Sequence, residues 1–395
     1  MFVRPLPRLV QAAVRASLVL AAACSAPQQG PLPLSERLAA GNDVWRTHFI
    51  DVGQSLAVLL EFPCAAVLVD TGAESNPQFD GVARLRDYLD DFFDRRADLN
   101  RTFALVVVTH PHIDHTLGLP LVLERYRVLN IIDNGMTHGS GARQQVAMLE
   151  RVAHPPEGSP AIGRRSISVG DIVDPAGLTD AIIDPVRCPT IDPGIKVLWG
   201  RVGEDPGWGG NRFGRTNFQN ANNHSIVLRV DYGKASALLP GDIEPPAIAA
   251  LLARSQATGA LDVDIYQVAH HGSSNGTTPG LVAAMTPAIS VFGAGEEKRH
   301  IAWSAWQYGH PRLEIVAMLA GATSRRRRTI EVPVAVGSHN FVAHQVDRAL
   351  YASGWDGHVV VEAHADGGVR VVFEGRSDRG ATSWPLPQPM PAPHH

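Results

Sequence analysis

The sequence predicts an α/β fold in which strands and helices alternate along one domain. From Trp45 onward, short apolar runs typical of buried strands alternate with longer stretches whose apolar residues recur at helical spacing. The composition agrees, because 45% hydrophobic and 19% charged residues in a chain of 395 supply a sizeable core. There is no internal repeat and no clean linker, so we expect a single domain with tails.

The elements follow from these patterns in order. Proline begins the helices expected at 246, 279 and 311, where its missing N–H is tolerated. Turn residues 232–234 and 366–368 predict two hairpins. The expected helices are residues 82–93, 117–126, 142–153, 246–254, 279–285 and 311–319. The expected strands are residues 46–52, 56–62, 65–70, 105–108, 128–132, 167–169, 181–183, 195–199, 225–231, 235–239, 264–268, 288–292, 358–363 and 369–373.

The N-terminus has the order of residues found in an export signal. Arg4, Arg8 and Arg15 precede a short apolar segment that ends in small residues before Cys24. Ala-Ala-Cys resembles the processing site of bacterial lipoproteins, although Ala21 stands where a leucine is usual. The alternative is an N-terminal helix on a cytosolic protein.

The domain boundaries follow from this leader and from the Pro-rich end of the chain. We expect a signal peptide or lipoprotein leader over residues 1–24 and a flexible tether over 25–43. The globular α/β domain is expected over 44–375, and a disordered Pro-rich tail over 376–395. The predicted location is periplasmic or membrane-anchored through Cys24, and cytoplasmic if the leader interpretation fails.

Charge and cysteine content narrow the class of protein further. The net charge of −4 does not favour a nucleic-acid coat protein or a polybasic membrane binder. Cys64 and Cys188 remain after the leader, and they either form a disulfide or stay as two buried thiols. After the leader, no stretch approaches 18 uninterrupted apolar residues, so no membrane-spanning helix is expected there.

The most informative motif is a histidine-rich loop that follows the buried strand at residues 103–108. His110 and His112 are two residues apart, so in extended backbone they point the same way and can hold one metal ion. Asp114 and His115 lie at the turn and can hold a second ion. These nitrogen and oxygen ligands suit zinc, with manganese or iron compatible. The alternative is a set of solvated loop histidines, which this spacing after a buried strand disfavours.

Further ligand-type residues stand at the ends of later strands. Asp242 follows a strand and a glycine turn, where one carboxylate can bridge two ions; its alternative role is a helix N-cap. His224 opens a strand and can complete the first site. His270 or His271, after the strand at 264–268, can complete the second. Each of these histidines alone also fits a hydrogen-bonded core or loop residue.

Together these segments resemble the metallo-β-lactamase superfamily, and most closely the metallo-hydrolase domain of ComEC/Rec2-type competence proteins. The resemblance covers roughly residues 46–321, and Ser55-Leu56 departs from it where the family usually has Gly-Asp. The segments that carry it are HFIDVGQ (48–54), LVDTG (68–72), THPHIDH (109–115), NNHSIVL (222–228), GDIE (241–244), VAHHGS (268–273) and YGHP (308–311).

The resemblance implies an α/β fold of the αββα sandwich type and a two-metal site. One ion would be held by His110, His112 and His224, the other by Asp114, His115 and His271, with Asp242 as the bridge. Asp70 would orient a ligand imidazole. The implied cofactors are two divalent ions, zinc first and manganese second.

Two divalent ions about 3.5–4 Å apart can activate a water as hydroxide for attack on phosphorus or on a carbonyl carbon. We expect Asp114, His270 and His310 to be catalytic, with the two histidines binding phosphoryl oxygens or protonating a leaving group. His310 could instead cap the helix at 311. Glu244 is interpreted as a helix first-turn acid.

The expected function is an exported phosphodiesterase or nuclease acting on nucleic acid or on an envelope phosphodiester. The alternatives are a hydrolase of amide, lactone or thioester bonds, β-lactams included, and a non-catalytic metal-stabilised binding module. Membrane contact is expected only through the lipid anchor, and no protein partner is expected.

Overall fold

The computed structural model describes residue 1 and residues 43–210 and 216–374. The expected leader, Cys24 and the Pro-rich tail lie outside these residues. In the part of the chain that is described, no helix combines the length and apolar character needed to cross a bilayer.

Nine α-helices and twenty strands form the described part of the fold. The helices are α1 Gly81–Arg95, α2 Ile113–Thr116, α3 Leu119–Arg125, α4 Ala142–Ala153, α5 Pro245–Ser255, α6 Pro279–Ala283, α7 Ala305–Tyr308, α8 Leu313–Ala322 and α9 Ser353–Asp356. The strands are β1 Val44–Phe49, β2 Val58–Glu61, β3 Ala66–Val69, β4 Ser75–Asn76, β5 Phe79–Asp80, β6 Thr102–Phe103, β7 Leu105–Val108, β8 Arg127–Val128, β9 Asn130–Asp133, β10 Gly163–Ser166, β11 Gly194–Trp199, β12 Val227–Tyr232, β13 Ala235–Leu239, β14 Ile265–Gln267, β15 Ile289–Phe292, β16 Arg326–Gly337, β17 Asn340–Arg348, β18 Leu350–Ala352, β19 Val359–His364 and β20 Val369–Glu374.

Two large sheets face each other. The eight-stranded sheet has the order β10-β9-β7-β3-β2-β1-β19-β20, and the six-stranded sheet has the order β11-β12-β13-β14-β15-β18. Alternate residues of both sheets meet in one apolar layer, to which Leu105 and Val107 of β7 contribute. Strands buried on both faces are apolar throughout, as β7 is.

Helices cover the outer face of each sheet. Val106 and Val108 of β7 pack outward in a cluster with residues of α1, α3 and α4. On the other side, residues of α5, α6 and α8 pack against β12, β13 and β14, and the β16–β17 hairpin joins this cluster. The layers are therefore helix, sheet, sheet and helix, which confirms the predicted αββα sandwich.

The topology brings several strand ends to one edge of the sandwich. Strands β3 and β7 are parallel, and so are β13, β14 and β15. Parallel strands present their carboxyl ends at the same edge, so the segments that follow them lie close together. Asp70, the histidine-rich loop, Asp242 and His271 all follow such strands.

Two short strands were predicted wrongly. Residues 181–183 form a turn, because the Asp180 side chain accepts hydrogen bonds from the backbone N–H groups of Ile182 and Ile183. The strand expected at 167–169 lies earlier, at Gly163–Ser166, because Ser168 and Asp171 form a capping box around the 3₁₀ turn Val169–Asp171. The long β16–β17 hairpin was not predicted.

Candidate metal centre

The loop after β7 carries the first ligand-type residues into the interior. His110 and His115 are fully buried, and His112 stands at the N-terminal end of α2 in extended backbone. Nε2 of His110 lies 3.1 Å from Nδ1 of His112. Two nitrogens at this separation can bind the same ion, because zinc–nitrogen bonds of about 2.0–2.1 Å in tetrahedral geometry place neighbouring donors about 3.3 Å apart.

Hydroxyl groups set the orientation of the His110 ring. Thr109 donates its hydroxyl to Asp70 at 2.7 Å, so Thr109 Oγ1 is free to accept a hydrogen bond from Nδ1 of His110 at 3.1 Å. Ser225 Oγ lies 3.3 Å from the same nitrogen. The lone pair of His110 Nε2 therefore faces His112. Burial lowers the pKa of His110 well below its usual value, which keeps that lone pair available.

Three further side chains converge on Asp242. One donor atom from each of Asp114, His115, Asp242 and His271 lies within 4.8 Å of the others, a spacing that a metal ion could bridge. Oδ2 of Asp242 lies 3.2 Å from His115 Nε2 and 3.4 Å from His271 Nε2. The predicted residues Asp114, His115, Asp242 and His271 are thus brought together.

Both imidazoles of this cluster are held in the tautomer that a metal ligand needs. Nδ1–H of His115 donates to Asp70 at 2.7 Å, and Nδ1–H of His271 donates to the carbonyl of Gly293 at 2.6 Å. In each ring Nε2 is therefore the nitrogen that faces the cluster, and a metal ion could bind it in place of a proton. These two Nε2 atoms and Oδ1 of Asp242 are buried without any hydrogen-bond partner. Buried polar atoms without partners are rare in folded proteins, so these three atoms fit a cation that binds among them.

The pKa shifts within the cluster also favour a bound cation. Burial opposes charge on His271, yet the Asp242 and Asp114 carboxylates raise its pKa to about 10. Asp242 and Asp70 likewise raise the pKa of His115 well above its usual value against the effect of burial. His115 and His271 in turn hold the pKa of Asp242 well below its usual value despite burial. The cluster attracts positive charge, which a divalent cation supplies once it displaces the protons.

His224 does not join these ligands. The backbone N–H of Val202 donates to Nδ1 of His224 at 3.0 Å, and Nε2–H donates to the carbonyl of Phe218 at 2.6 Å. Both ring nitrogens are occupied by backbone partners, so neither is free to coordinate an ion. This corrects the expectation that His224 completes the first site.

The ligands open into a cavity of about 260 Å³. His112, Asp114, Asp242 and His271 line one part of it, and His270 and His310 line another. His270 is displaced from the ligand cluster, since its Nε2 lies 3.8 Å from Asp242 Oδ2. The helix after His310 begins only at Leu313, with Arg312 at its N-cap, so His310 is not the cap.

Two cavity residues, Gln54 and Asn222, were missed as site residues, and Glu244 beside Asn222 was given another role. Gln54 donates from Nε2 to Nδ1 of His310 at 2.9 Å. Glu244 lies at the N-cap position of α5 without capping it; it is buried and accepts a hydrogen bond from Asn222 at 2.8 Å. The interpretation of Glu244 as a helix acid is therefore wrong. In the sequence, the pair Asn222-Asn223 directly before His224 was the feature that could have identified Asn222 as a site residue.

The family model described as the metallo-beta-lactamase superfamily matches residues 50–292. The chain belongs to this superfamily. Its members are metal-dependent hydrolases, and the His/Asp cluster described above lies within the matched range.

Three curated relatives match parts of the chain, and the second and third of them support the resemblance to competence proteins. The uncharacterized protein YcaI of Escherichia coli K12 is 25% identical over 266 residues, 66% of this chain and 26% of YcaI. Recombination protein 2 of Haemophilus influenzae is 34% identical over 89 residues, 22% of this chain and 10% of that protein. ComE operon protein 3 of Bacillus subtilis is 27% identical over 108 residues, 27% of this chain and 12% of that protein. The chain thus matches about a quarter or less of the length of each relative.

Proposed function

We propose that this superfamily member is an exported, two-metal phosphodiesterase that cleaves nucleic acid or an envelope phosphodiester. The observation that carries the proposal is the pair His270 and His310. Both line the cavity into which the ligand cluster opens, and neither is needed as a ligand there. They add hydrogen-bonding and proton-transfer groups beside the position of the reacting bond.

Divalent ions held by the cluster would lower the pKa of a bound water and stabilise negative charge on the substrate. His110, His112, His115 and His271 hold them, with Asp114 and Asp242 as the carboxylate ligands. Asp114 Oδ2 lies 3.4 Å from His271 Nε2, and from this position its carboxylate would accept a hydrogen bond from the attacking water and orient it. This is the catalytic role that we assign to Asp114.

His310 acts as a hydrogen-bond donor in this proposal. The backbone N–H of Gly295 donates to Oε1 of Gln54 at 3.3 Å, which directs the amide nitrogen of Gln54 to His310. Nδ1 of His310 therefore accepts, and Nε2 carries the proton. From the cavity wall this N–H can bind a non-bridging phosphoryl oxygen.

His270 is the candidate proton donor to the leaving oxygen. Its ring is the more accessible of the two spare imidazoles, with 19% of the side chain exposed. Nδ1 of His270 lies 3.6 Å from Oε1 of Glu244, so the carboxylate favours an orientation with Nε2 toward Asp242 and the cavity. Its backbone has φ of 52°, a left-handed conformation that is uncommon outside glycine and is often found at functional sites.

Two aromatic side chains at the cavity favour nucleic acid as the substrate. Trp303 and Tyr308 line the cavity and are 40% and 42% exposed. Trp303 also has a positive φ of 62°. Exposed aromatic rings beside a phosphodiester site can stack unpaired bases, a contact worth about 1–3 kcal/mol per base.

The disulfide supports export. Cys64 and Cys188 form a disulfide across 124 residues of sequence. Disulfides persist in oxidising compartments, which agrees with the leader expected over residues 1–24. Anchoring at Cys24 remains a proposal, and mass spectrometry of the native N-terminus tests it: an acylated Cys24 supports the anchor, and an intact Met1 contradicts it.

The test of the proposed activity is a substrate panel with metal-loaded protein. Zinc- and manganese-loaded samples would be assayed on bis-p-nitrophenyl phosphate, single-stranded DNA, phosphocholine esters and nitrocefin. We expect phosphodiester cleavage that falls in His270→Gln and His310→Gln and persists in the surface control His154→Gln. If nitrocefin were opened readily while every phosphodiester stayed intact, the chain would instead be a hydrolase of amide-type bonds. No turnover by protein that binds metal would favour a binding module.

A further inference from the structure

We infer that the side-chain oxygen of Asn222 takes the place that the sequence assigned to His224, as the third protein ligand of the ion at His110 and His112. The inference rests on the proposed metal-dependent function and concerns the composition of its first metal site. Asn222 precedes β12 in the 3₁₀ turn Ala221–His224.

The first observation is an unpartnered oxygen. Asn222 is 5% exposed, and its Oδ1 is buried with no hydrogen-bond partner. Asn222 nevertheless lines the same cavity as His112 and Asp242. A buried carboxamide oxygen without a donor is unfavourable, and binding of a cation at the cavity would offset that cost.

The second observation is the group that orients the amide. Nδ2 of Asn222 donates to Oε1 of Glu244 at 2.8 Å. An ionised carboxylate only accepts hydrogen bonds, so the NH₂ end of the amide must face Glu244 and the oxygen must face away from it. Glu244 thereby acts as a positioning residue for Asn222, in the way that outer carboxylates orient metal ligands. This positioning role also explains why Glu244 is buried at the N-cap position of α5 without capping that helix.

The third observation is the geometry of the turn. A 3₁₀ helix has three residues per turn, so residues three apart lie on the same side. Ser225, the residue directly after the turn, is three residues from Asn222, and its hydroxyl lies 3.3 Å from His110 Nδ1, so this segment passes beside the His110 ring. The ring of His224 is instead held by Val202 and Phe218.

The exchange has a chemical consequence. A carboxamide oxygen is a harder donor than an imidazole nitrogen, so two histidines with Asn222 and Asp242 suit manganese better than a three-histidine site would. We therefore expect the first site to prefer zinc over manganese less strongly than the second site does.

The experiment compares metal content in matched variants of the full chain. After loading and dialysis, the ions bound per chain would be measured in the wild type, Asn222→Ala, His224→Ala and Asn223→Ala. Asn223 is the control because it is a neighbouring, fully buried carboxamide that does not line the cavity. We expect about one ion fewer in Asn222→Ala only. Cobalt-loaded protein should show changed visible bands in the same variant.

Asn222→Asp separates a ligand from a structural residue. Aspartate keeps an oxygen donor but cannot donate to Glu244, so a ligand role predicts that it retains the ion that alanine loses. The inference is overturned if Asn222→Ala keeps full occupancy, if His224→Ala or Asn223→Ala loses the ion instead, or if Asn222→Asp loses it as completely as alanine. A wild type that binds no divalent ion would also remove the proposed function, whereas the other outcomes leave that function standing.

Discussion

Asp70 accepts a hydrogen bond from Nδ1–H of His115 at 2.7 Å, and its other carboxylate oxygen accepts one from the backbone N–H of Thr109 at 2.8 Å. The carboxylate follows β3 and the histidine-rich loop follows the neighbouring parallel strand β7. One acidic side chain therefore ties two strand ends together and fixes the tautomer of a candidate metal ligand. The sequence predicted this orienting role for Asp70.

Asp70→Asn is expected to weaken metal binding without unfolding the protein. Loss of the carboxylate lowers the basicity of His115 and loosens its orientation, which typically costs 10- to 100-fold in metal affinity. Competition with a chromophoric chelator measures this change. An affinity equal to that of the wild type would show that Asp70 has no role in the metal site.

Gly72→Ala is expected to displace Asp114 from the cluster. A Cβ at position 72 would lie 1.7 Å from the carbonyl oxygen of Asp114 and 2.7 Å from that of Leu56, so the backbone must move. The variant should lose metal and activity. Gly321→Ala is the matched control. Gly321 lies in α8, and a Cβ added there would contact no atom within 4 Å beyond its chain neighbours and the nearby backbone of its own helix, so alanine should stabilise the helix by about 0.5–1 kcal/mol. Full metal occupancy in Gly72→Ala would contradict the placement of Asp114.

The fold was largely predictable because most of its elements have strong periodic patterns. Strand β7 and helix α4 begin and end at the predicted residues, since each is bounded by clear turn signals. The β16–β17 hairpin was missed because its residues are largely exposed and its first residues are an arginine run. Within that run, the side chain of Arg327 is 5% exposed, pairs with Asp356 and lies over the ring of Tyr351.

The candidate site was predictable wherever the ligand follows a strand directly. His115, Asp242 and His271 fall into this class, because the end of a parallel strand fixes the position of the next few residues. The segment before β12 is different. Within a single 3₁₀ turn, the sequence does not reveal which of three consecutive polar side chains faces the cavity. It also does not reveal that the backbone of Val202 and Phe218 binds the two ring nitrogens of His224.

Glu61→Gln is expected to destabilise the protein at neutral pH and to make its free energy of unfolding depend less on pH under acidic conditions. Although burial acts in the opposite direction, His48, Arg46 and Arg96 lower the pKa of Glu61 to about 2. A carboxyl whose pKa is lower in the folded state than in the unfolded state contributes stability above the unfolded value. That contribution is lost as the pH falls from about 4.5 to about 2.

Urea unfolding at several pH values measures this effect. Breaking the buried network should cost roughly 3–5 kcal/mol at pH 7. The exposed pair of Arg86 and Asp87 supplies the control, because Asp87→Asn should change stability by less than about 1 kcal/mol. If the free energy of unfolding of Glu61→Gln fell with decreasing pH as steeply as that of the wild type, the Glu61 carboxyl would not couple folding to pH.

Removal of the disulfide is expected to lower the free energy of unfolding by roughly 2–5 kcal/mol, because it frees a long loop in the unfolded chain. The variant Cys64→Ser/Cys188→Ser should show this loss in urea unfolding, and reduced wild type should match it. The double variant should then be insensitive to reductant. A wild type whose stability does not respond to reduction would contradict a structural role for the disulfide.

The metal content and phosphodiesterase activity of wild type and Asp242→Ala, measured on the same preparations, test the central claim most directly. Asp242 lies within 3.4 Å of both His115 and His271, and we place it as the bridge between two ions. We expect about two ions per wild-type chain, reduced occupancy of both sites in Asp242→Ala, and loss of bis-p-nitrophenyl phosphate hydrolysis in that variant. Full occupancy and full activity in Asp242→Ala would contradict it.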